Sequence, residues 1–301
     1  MSHASSLRAV LYALAANTGI LIAKGVAAVI TGSSAMLAEA IHSAADCGNQ
    51  VLLLFGMKDA KRAPDAKHPL GYGKAVYFWA FLVAVLLFTL GGLFSIYEGW
   101  HKLHQPEPMT NPIIAIVVLL VAFILEAFSL AGCTREIRKV SGTRTLWQYF
   151  RTSRNSELIV VLGEDIAALA GLGFALVAVL LAFVTGNPIY DAAGSIAVGA
   201  LLVVVAILLS IEIKAMITGE SAEAETEDAI RAFLLARPEV AEVYTLLTLQ
   251  LGAGIMLAIK ARMADAPSAN AMINAINQVE ADLRCAFPIV QWIFFEPDTK
   301  D

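Results

Sequence analysis

The chain has 301 residues, 58% of them hydrophobic and only 16% charged, whereas soluble domains average about 45–50% apolar and about 25% charged. That balance argues against a purely cytosolic enzyme. The net charge of −5 is uneven: residues 1–218 carry +2 and residues 219–301 carry −7. An acidic tail is a poor partner for nucleic acid, which needs clustered Lys and Arg. Three cysteines, Cys47, Cys133 and Cys285, are too few and too scattered for a disulfide framework or a Cys-rich zinc cluster.

A membrane-spanning helix needs about 20 mostly apolar residues. Six such stretches are predicted, near 9–30, 35–57, 76–98, 112–133, 158–184 and 189–217. The first follows a single basic residue, Arg8, and runs well past the length of a leader's apolar region, so no cleavable signal peptide or organelle presequence is expected. The loops set the orientation. Segment 58–75 holds Lys58, Lys61, Arg62, Lys67 and Lys74, and segment 134–156 holds Arg135, Arg138, Lys139, Arg144, Arg151 and Arg154. Loops 31–34, 99–111 and 185–188 together hold one base, Lys102. The positive-inside bias places both termini in the cytoplasm.

From Gly219 the chain reads as a small α+β unit in the order α-β-β-α-β. Residues 221–236 form an acidic helix with Ala229, Ile230, Phe233 and Leu234 at helical spacing. Two apolar, β-branched runs, 240–251 and 255–263, are split by Gly252-Ala253-Gly254, a hairpin signal. Ser268 is the expected N-cap of a helix reaching Phe287, with Ile273, Ile276, Val279 and Leu283 as its stripe, and 289–295 is a third strand.

Ionisable residues inside spans are costly and mark ion or proton pathways. Two helices concentrate them here: Glu39, His42 and Asp46 in the second span, Glu164 and Asp165 in the fifth. Residues four apart share a helix face, so His42 and Asp46 project together, with Glu39 nearly aligned. An imidazole and a carboxylate at this spacing hold two corners of a tetrahedral metal site, and Asp165 of the facing span is the natural third ligand. Glu164 points about 100° away from Asp165. Glu39 reads as a supporting or proton-handling group. The rival reading of a lone membrane His, a hydrogen-bonded structural residue, fits five ionisable groups on two spans poorly.

The run T-G-S-S-A-M-L-A-E-A-I-H-S-A-A-D at 31–46, followed by D-A-K-H-P-L-G-Y-G-K at 65–74, resembles the cation diffusion facilitators. Asn17 and Lys24 in the first span and N-P-I-Y-D ending at Asp191 extend the resemblance over nearly the whole chain. E-A-I-H-S, the Glu-Asp pair and G-N-P-x-Y-D are similar to the branch of the animal mitochondrial zinc transporter. The resemblance implies a homodimeric antiporter of six spans that exchanges a divalent cation for protons, with a metallochaperone-like cytoplasmic tail and no resident cofactor. The expected partners are the metal ion, protons, the bilayer and a second copy, and the expected location is a bacterial inner membrane.

Two departures bear on specificity. The family commonly repeats H-x-x-x-D in the fifth span, but four residues before Asp165 stands Val161, which has no donor atom. Glu164 is the available substitute, giving His42, Asp46, Asp165 and Glu164 as the ligand set: one nitrogen and three oxygen donors. That set admits Mn²⁺, Fe²⁺, Co²⁺ or Cd²⁺ beside Zn²⁺ more readily than a two-His site. The second departure is in the tail. The five histidines are His3, His42, His68, His101 and His104, so a His-based tail site is excluded and dimerisation is the simpler role.

Other groups have plainer readings. Asp65 and His68 match a loop that holds an accessory metal in some relatives, but Tyr72 replaces the later His, and a tight turn through Gly71 and Gly73 explains the segment. Lys24 and Asn17, seven residues apart, share a face and are expected to meet one polar partner. Glu126 stands in an apolar run with no base within a turn, which suits either a proton carrier or a structural Glu bonded to a carbonyl. Gly163, Ala167, Gly171 and Ala175 form a small-residue packing stripe. Asp191 is expected to cap the sixth span.

The resulting expectation is proton-coupled metal efflux through a midplane site opened alternately to each side. An intramembrane hydrolase is disfavoured: H-E-x-x-H and G-x-S-x-G are both absent. A non-transporting membrane sensor or partner, with Val161 marking a degenerate site, is the second rival.

Overall fold

A computed structural model of the chain describes residues 3–105, 111–141 and 144–300. Of the predicted features, residues 106–110 and 142–143 and the side chains of His3, Arg8 and Lys139 lie outside the described residues.

The apolar runs fold as long helices: α1 (His3–Thr31), α2 (Ser34–Ala60), α3 (Ala75–Leu86) continuing through a π-helical turn (Leu87–Leu93) into α4 (Phe94–His104), α5 (Pro112–Val140), α7 (Ser156–Thr185) and α8 (Ile189–Thr218). A short α6 (Leu146–Thr152) lies within the second basic loop and was not expected from hydropathy. Among the described residues, four stretches are long and apolar enough to cross a membrane: Ala75–His104, Pro112–Arg135, Ser156–Thr185 and Ile189–Thr218. The Asn17–Thr31 stretch is apolar but shorter, while Glu39, His42, Asp46, Asn49 and Gln50 dilute the hydropathy of α2. Helix starts follow local chemistry. Gly32, at φ +63°, turns the chain between α1 and α2, and Pro112 opens α5 where its missing N–H costs nothing.

The chain divides into two compact units. The first comprises residues 1–56, 79–151 and 156–213. In it α5 packs on α7 and on α1. The third long helix approaches α8 at backbone distance: a Cβ on Gly92 would stand 2.6 Å from Val203, and one on Gly99 would stand 2.7 Å from the Ala192 carbonyl. The predicted stripe on α7 is buried throughout, with Gly163 against Leu209 of α8 and Gly171 against Glu39 of α2. Large apolar side chains such as Val29, Phe128 and Val184 are exposed, as lipid-facing positions require.

The second unit comprises residues 57–78, 152–155 and 214–301. Its order is α9 (Ala224–Leu235), β1 (Val240–Leu251), β2 (Gly254–Met263), α10 (Ala269–Ala286) and β3 (Val290–Pro297), which matches the predicted α-β-β-α-β. Strands β1 and β2 pair antiparallel and β2 and β3 parallel, giving a three-stranded sheet. Gly252, at φ +68°, supplies the positive φ that the hairpin turn needs. Ser268 caps α10 by accepting the Ala271 N–H at 3.2 Å. Ile230, Leu234, Val279 and Leu283 enter the core with Leu257 and Ile259. Two stripe residues do not: Ala229 is exposed and Ile273 is 50% exposed. Both lie on the outer edge of their helical faces, where 3.6-residue periodicity rotates them away from the sheet.

Within this unit the first basic loop packs on the hairpin. A Cβ on Gly73 would stand 2.2 Å from the Leu251 carbonyl, and the Gly252 N–H donates to the Tyr77 hydroxyl at 3.1 Å. Arg154 pairs with Glu220 at 3.1 Å and donates to the Ser221 carbonyl at 2.9 Å.

Candidate metal-transport site

Helix α2 carries the polar stripe Glu39, His42, Asp46 and Asn49, at steps of three and four that keep one face inward. His42 is fully buried, and its Nε2 lies 3.7 Å from Asp46 Oδ2, beyond hydrogen-bond length. Both ring nitrogens of His42 and Oδ1 of Asp46 are buried without a hydrogen-bond partner. Buried polar atoms are rarely left unsatisfied, and an exception calls for an explanation such as an ion.

The facing helix α7 places its two acids differently. Glu164 turns toward α2, and the Asn49 Nδ2 donates to its Oε1 at 2.5 Å. Asp165 faces α5, where the Ser129 hydroxyl is 3.5 Å from both carboxylate oxygens. Glu126 of α5 is within electrostatic reach of His42, Asp46 and Lys24, and Asp165 within reach of Glu126 and Asp46. The predicted residues therefore gather in one zone of α2, α5 and α7, with Glu39, His42 and Glu164 buried and Asp46, Glu126 and Asp165 half-buried. Among the described residues, however, no three His, Cys, Asp or Glu side chains converge closely enough to hold an ion together. His42 and Asp46 are adjacent; Glu164 and Asp165 are each held by a hydroxyl or an amide.

Around this zone, Lys24 of α1 donates to Glu39 Oε2 at 3.2 Å and to the Ser43 hydroxyl at 2.9 Å, fully buried. Its partner is thus on α2. Asp191 corrects an expectation: instead of capping its own helix, it reaches across to the start of α2. It accepts from the Ser33 hydroxyl at 2.5 Å and from the Ser34 and Ala35 N–H groups at 2.7 and 3.3 Å.

In the loop, both Asp65 oxygens are engaged. Oδ1 accepts the Lys67 and His68 N–H groups at 2.9 and 2.7 Å, and Oδ2 accepts the Tyr72 hydroxyl at 2.7 Å. The Tyr72 hydroxyl and then the His68 N–H pull the exposed Asp65 carboxyl down to about 2, and the same bond holds the Tyr72 hydroxyl above its ordinary value. Tyr72 also lies under the Arg62 guanidinium, 3.9 Å from its ring centre. The loop is thus an internally bonded turn, with His68 Nδ1 3.5 Å from Asp65.

Asn49 and Ser129 were not singled out from sequence. Asn49 was findable, since it continues the 39, 42, 46 progression by three. Ser129 had no signal, because a lone Ser in an apolar span most often bonds its own helix backbone.

Long apolar helices with acids and one imidazole gathered among them are those of a multi-pass membrane protein. Residues 10–217 match the cation efflux transmembrane domain, and the chain belongs to the cation diffusion facilitator family, whose members are transporters and not enzymes. It is 39% identical over 181 residues to metal tolerance protein C4 of Arabidopsis thaliana, covering 60% of this chain and 40% of that protein. It is 33% identical over 233 residues to a mitochondrial proton-coupled zinc antiporter of Mus musculus, covering 77% of this chain and 41% of that protein. Magnetosome protein MamB of Magnetospira sp. is 27% identical over 199 residues, covering 65% of this chain and 62% of that protein. The matches span about 40% of the length of the plant and mouse relatives.

Proposed function

We propose that this protein is a secondary transporter that exports a divalent metal cation from the cytoplasm, Zn²⁺ foremost, in exchange for protons. One observation carries the reading: His42 and Asp46, side by side on a membrane helix, keep both ring nitrogens and a carboxylate oxygen buried and unpartnered. The similarity to a protein described as a proton-coupled zinc antiporter supports the choice of ion and of coupling.

In this reading the ion binds His42 and Asp46 first, and Asp165 and Glu164 complete the site as α7 shifts and they release Ser129 and Asn49. Metal binding needs deprotonated carboxylates and a neutral imidazole. An emptied site therefore takes up protons from the side it faces, which ties ion movement to proton movement in the opposite sense. Glu39 and Glu126, both within electrostatic reach of His42, are the further candidates for handling protons.

The transport domain is assigned to residues 1–218, with six spans and both termini cytoplasmic in a bacterial inner membrane. Residues 219–301 serve as a dimerisation module. The carboxylate-rich donor set supports a second reading of substrate, Mn²⁺, Fe²⁺, Co²⁺ or Cd²⁺ in place of Zn²⁺. Proteoliposomes holding the full chain, with an imposed pH gradient and each ion in turn, test both. Uptake of Zn²⁺ coupled to proton release is expected. Absence of flux with every ion, alongside intact binding, points instead to a membrane metal sensor.

A further inference from the structure

Lys24 is the anomaly of the buried zone. A lysine inside a membrane helix is expensive, and a buried ion pair is weak evidence for stability, since apolar replacements are often as good. Lys24 is nonetheless 1% exposed, with its ammonium divided between Glu39 Oε2 and the hydroxyl of Ser43, the residue beside His42. Glu39 spends only one oxygen on it. The other, Oε1, is buried without a partner and is directed at α7, where Gly171 leaves room that a Cβ would take, 2.9 Å away. Lys24 is within electrostatic reach of His42, Asp46 and Glu126 alike.

We infer that Lys24 sets how tightly the permeating dication is held: a fixed positive charge, bonded to Glu39 and Ser43 on the helix that bears His42 and Asp46, offsets part of the carboxylate charge so that the ion is released. The inference rests on the metal site proposed above at His42 and Asp46. A zone with Glu39, Asp46, Glu126, Glu164 and Asp165 on one side of the ledger retains a dication strongly. Repulsion between unit charges falls off slowly in a low-dielectric interior, and a doubly charged ion feels the ammonium twice over. Glu39 acts as the tether, keeping the ammonium on the α1 side of α2 and off Asp46.

The test uses the full chain in lipid nanodiscs, with Zn²⁺ binding measured by competition with a chelating dye and transport measured in proteoliposomes. Lys24→Gln is expected to tighten Zn²⁺ binding about tenfold and to lower KM and kcat together, as release becomes limiting. Lys24→Arg keeps the charge and is expected to keep the wild-type Kd. Removing both charges in Lys24→Gln/Glu39→Gln is expected to return Kd toward wild type. Glu39→Gln alone, which retains the cation, is expected to bind about tenfold more weakly than that double variant. The last comparison does not depend on Lys24→Gln folding. A folded Lys24→Gln with wild-type Kd, or equal Kd values for Glu39→Gln and the double variant, overturns the inference. Asp46→Asn in the same assay separates the two levels: lost binding there leaves the metal site standing, whereas retained binding removes the site itself.

Discussion

Asp191, in the first turn of α8, holds the first turn of α2 through Ser34, accepting its N–H at 2.7 Å and its hydroxyl at 3.0 Å. The first N–H groups of a helix have no partner within it, and α2 recruits a carboxylate from another helix to satisfy them. Lys102 stands 4.0 Å from the same carboxylate and donates to the Gly32 carbonyl. The start of the helix that bears His42 and Asp46 is therefore fixed by α8, 157 residues later in the chain.

Removing this carboxylate leaves buried N–H and hydroxyl groups without acceptors. Asp191→Ala is expected to destabilise the protein by about 2 kcal/mol or more. Asp191→Asn, which keeps one acceptor oxygen, is expected to cost less. Thermal unfolding in detergent measures both. Equal melting temperatures for wild type and Asp191→Ala would show that water supplies the cap instead.

Asp46→Ala takes a carboxylate oxygen donor from the adjacent His42–Asp46 pair on α2 and leaves a small side chain in a part-buried position. Metal flux in proteoliposomes is expected to fall by about a hundredfold, in line with losses seen when groups supporting a metal site are removed. Size-exclusion profile and melting temperature are expected to stay near wild type. Normal flux in this variant would remove Asp46 from the site.

The boundaries of the tail were legible because each strand is a β-branched run closed by turn residues, and because Ser268 and Gly252 announce a cap and a hairpin. The stripe on α2 was legible for a different reason: charges in an apolar helix stand out, and their spacing fixes their shared face. What periodicity cannot reveal is which helix lies opposite. Asp191 capping α2, Lys24 choosing Glu39 and Glu164 meeting Asn49 are all contacts between residues far apart in sequence. The π-helical turn at Leu87–Leu93 was equally hidden, and so was the close packing of its Gly92 against Val203 of α8.

The loop turn makes a pH prediction. The Asp65 carboxyl, held down at about 2 chiefly by the Tyr72 hydroxyl, lies below the ordinary aspartate value of about 3.9. Its contribution to the turn is therefore complete above about pH 4 and is lost as pH falls through about 2. Tyr72→Phe removes the main cause, so the carboxyl is expected to titrate closer to 3.9. Infrared difference spectra of each protein against its Asp65→Asn counterpart report the carboxylate band directly. An unmoved titration would mean that the backbone N–H groups alone hold it down.

Gly73 tests the packing of the first basic loop on the hairpin. A methyl group there meets the Leu251 carbonyl at 2.2 Å, a backbone atom that cannot swing aside. Gly73→Ala is expected to separate the loop from the β1–β2 turn and break the Gly252-to-Tyr77 bond. Faster hydrogen exchange at Gly252, with unchanged exchange in the β1–β2 ladder, is the expected signature. Unchanged exchange at Gly252 would mean that the loop and hairpin adapt together.

Glu164 is the member of the proposed ligand set whose present partner argues most directly against binding. Its Oε1 accepts from Asn49 at 2.5 Å, so it coordinates an ion only if that bond is given up. Asn49→Ala releases the carboxylate; if Glu164 is a ligand, the ion no longer competes with the amide and affinity is expected to rise several-fold. Glu164→Gln keeps the shape and removes the charge, so affinity and transport are expected to fall, and by more than in Glu157→Gln in the first turn of α7. Val161→His places an imidazole one turn before Asp165 and is expected to restore part of the loss in the Glu164→Gln background. It should also shift preference toward Zn²⁺, because imidazole suits Zn²⁺ better than Mn²⁺. Binding and flux across Zn²⁺ and Mn²⁺ in these variants decide the matter. If Glu164→Gln transports like wild type and Asn49→Ala merely lowers the melting temperature, the Asn49–Glu164 bond is a strut between α2 and α7. The fourth donor is then water or Glu39, whose Oε1 is buried without a partner.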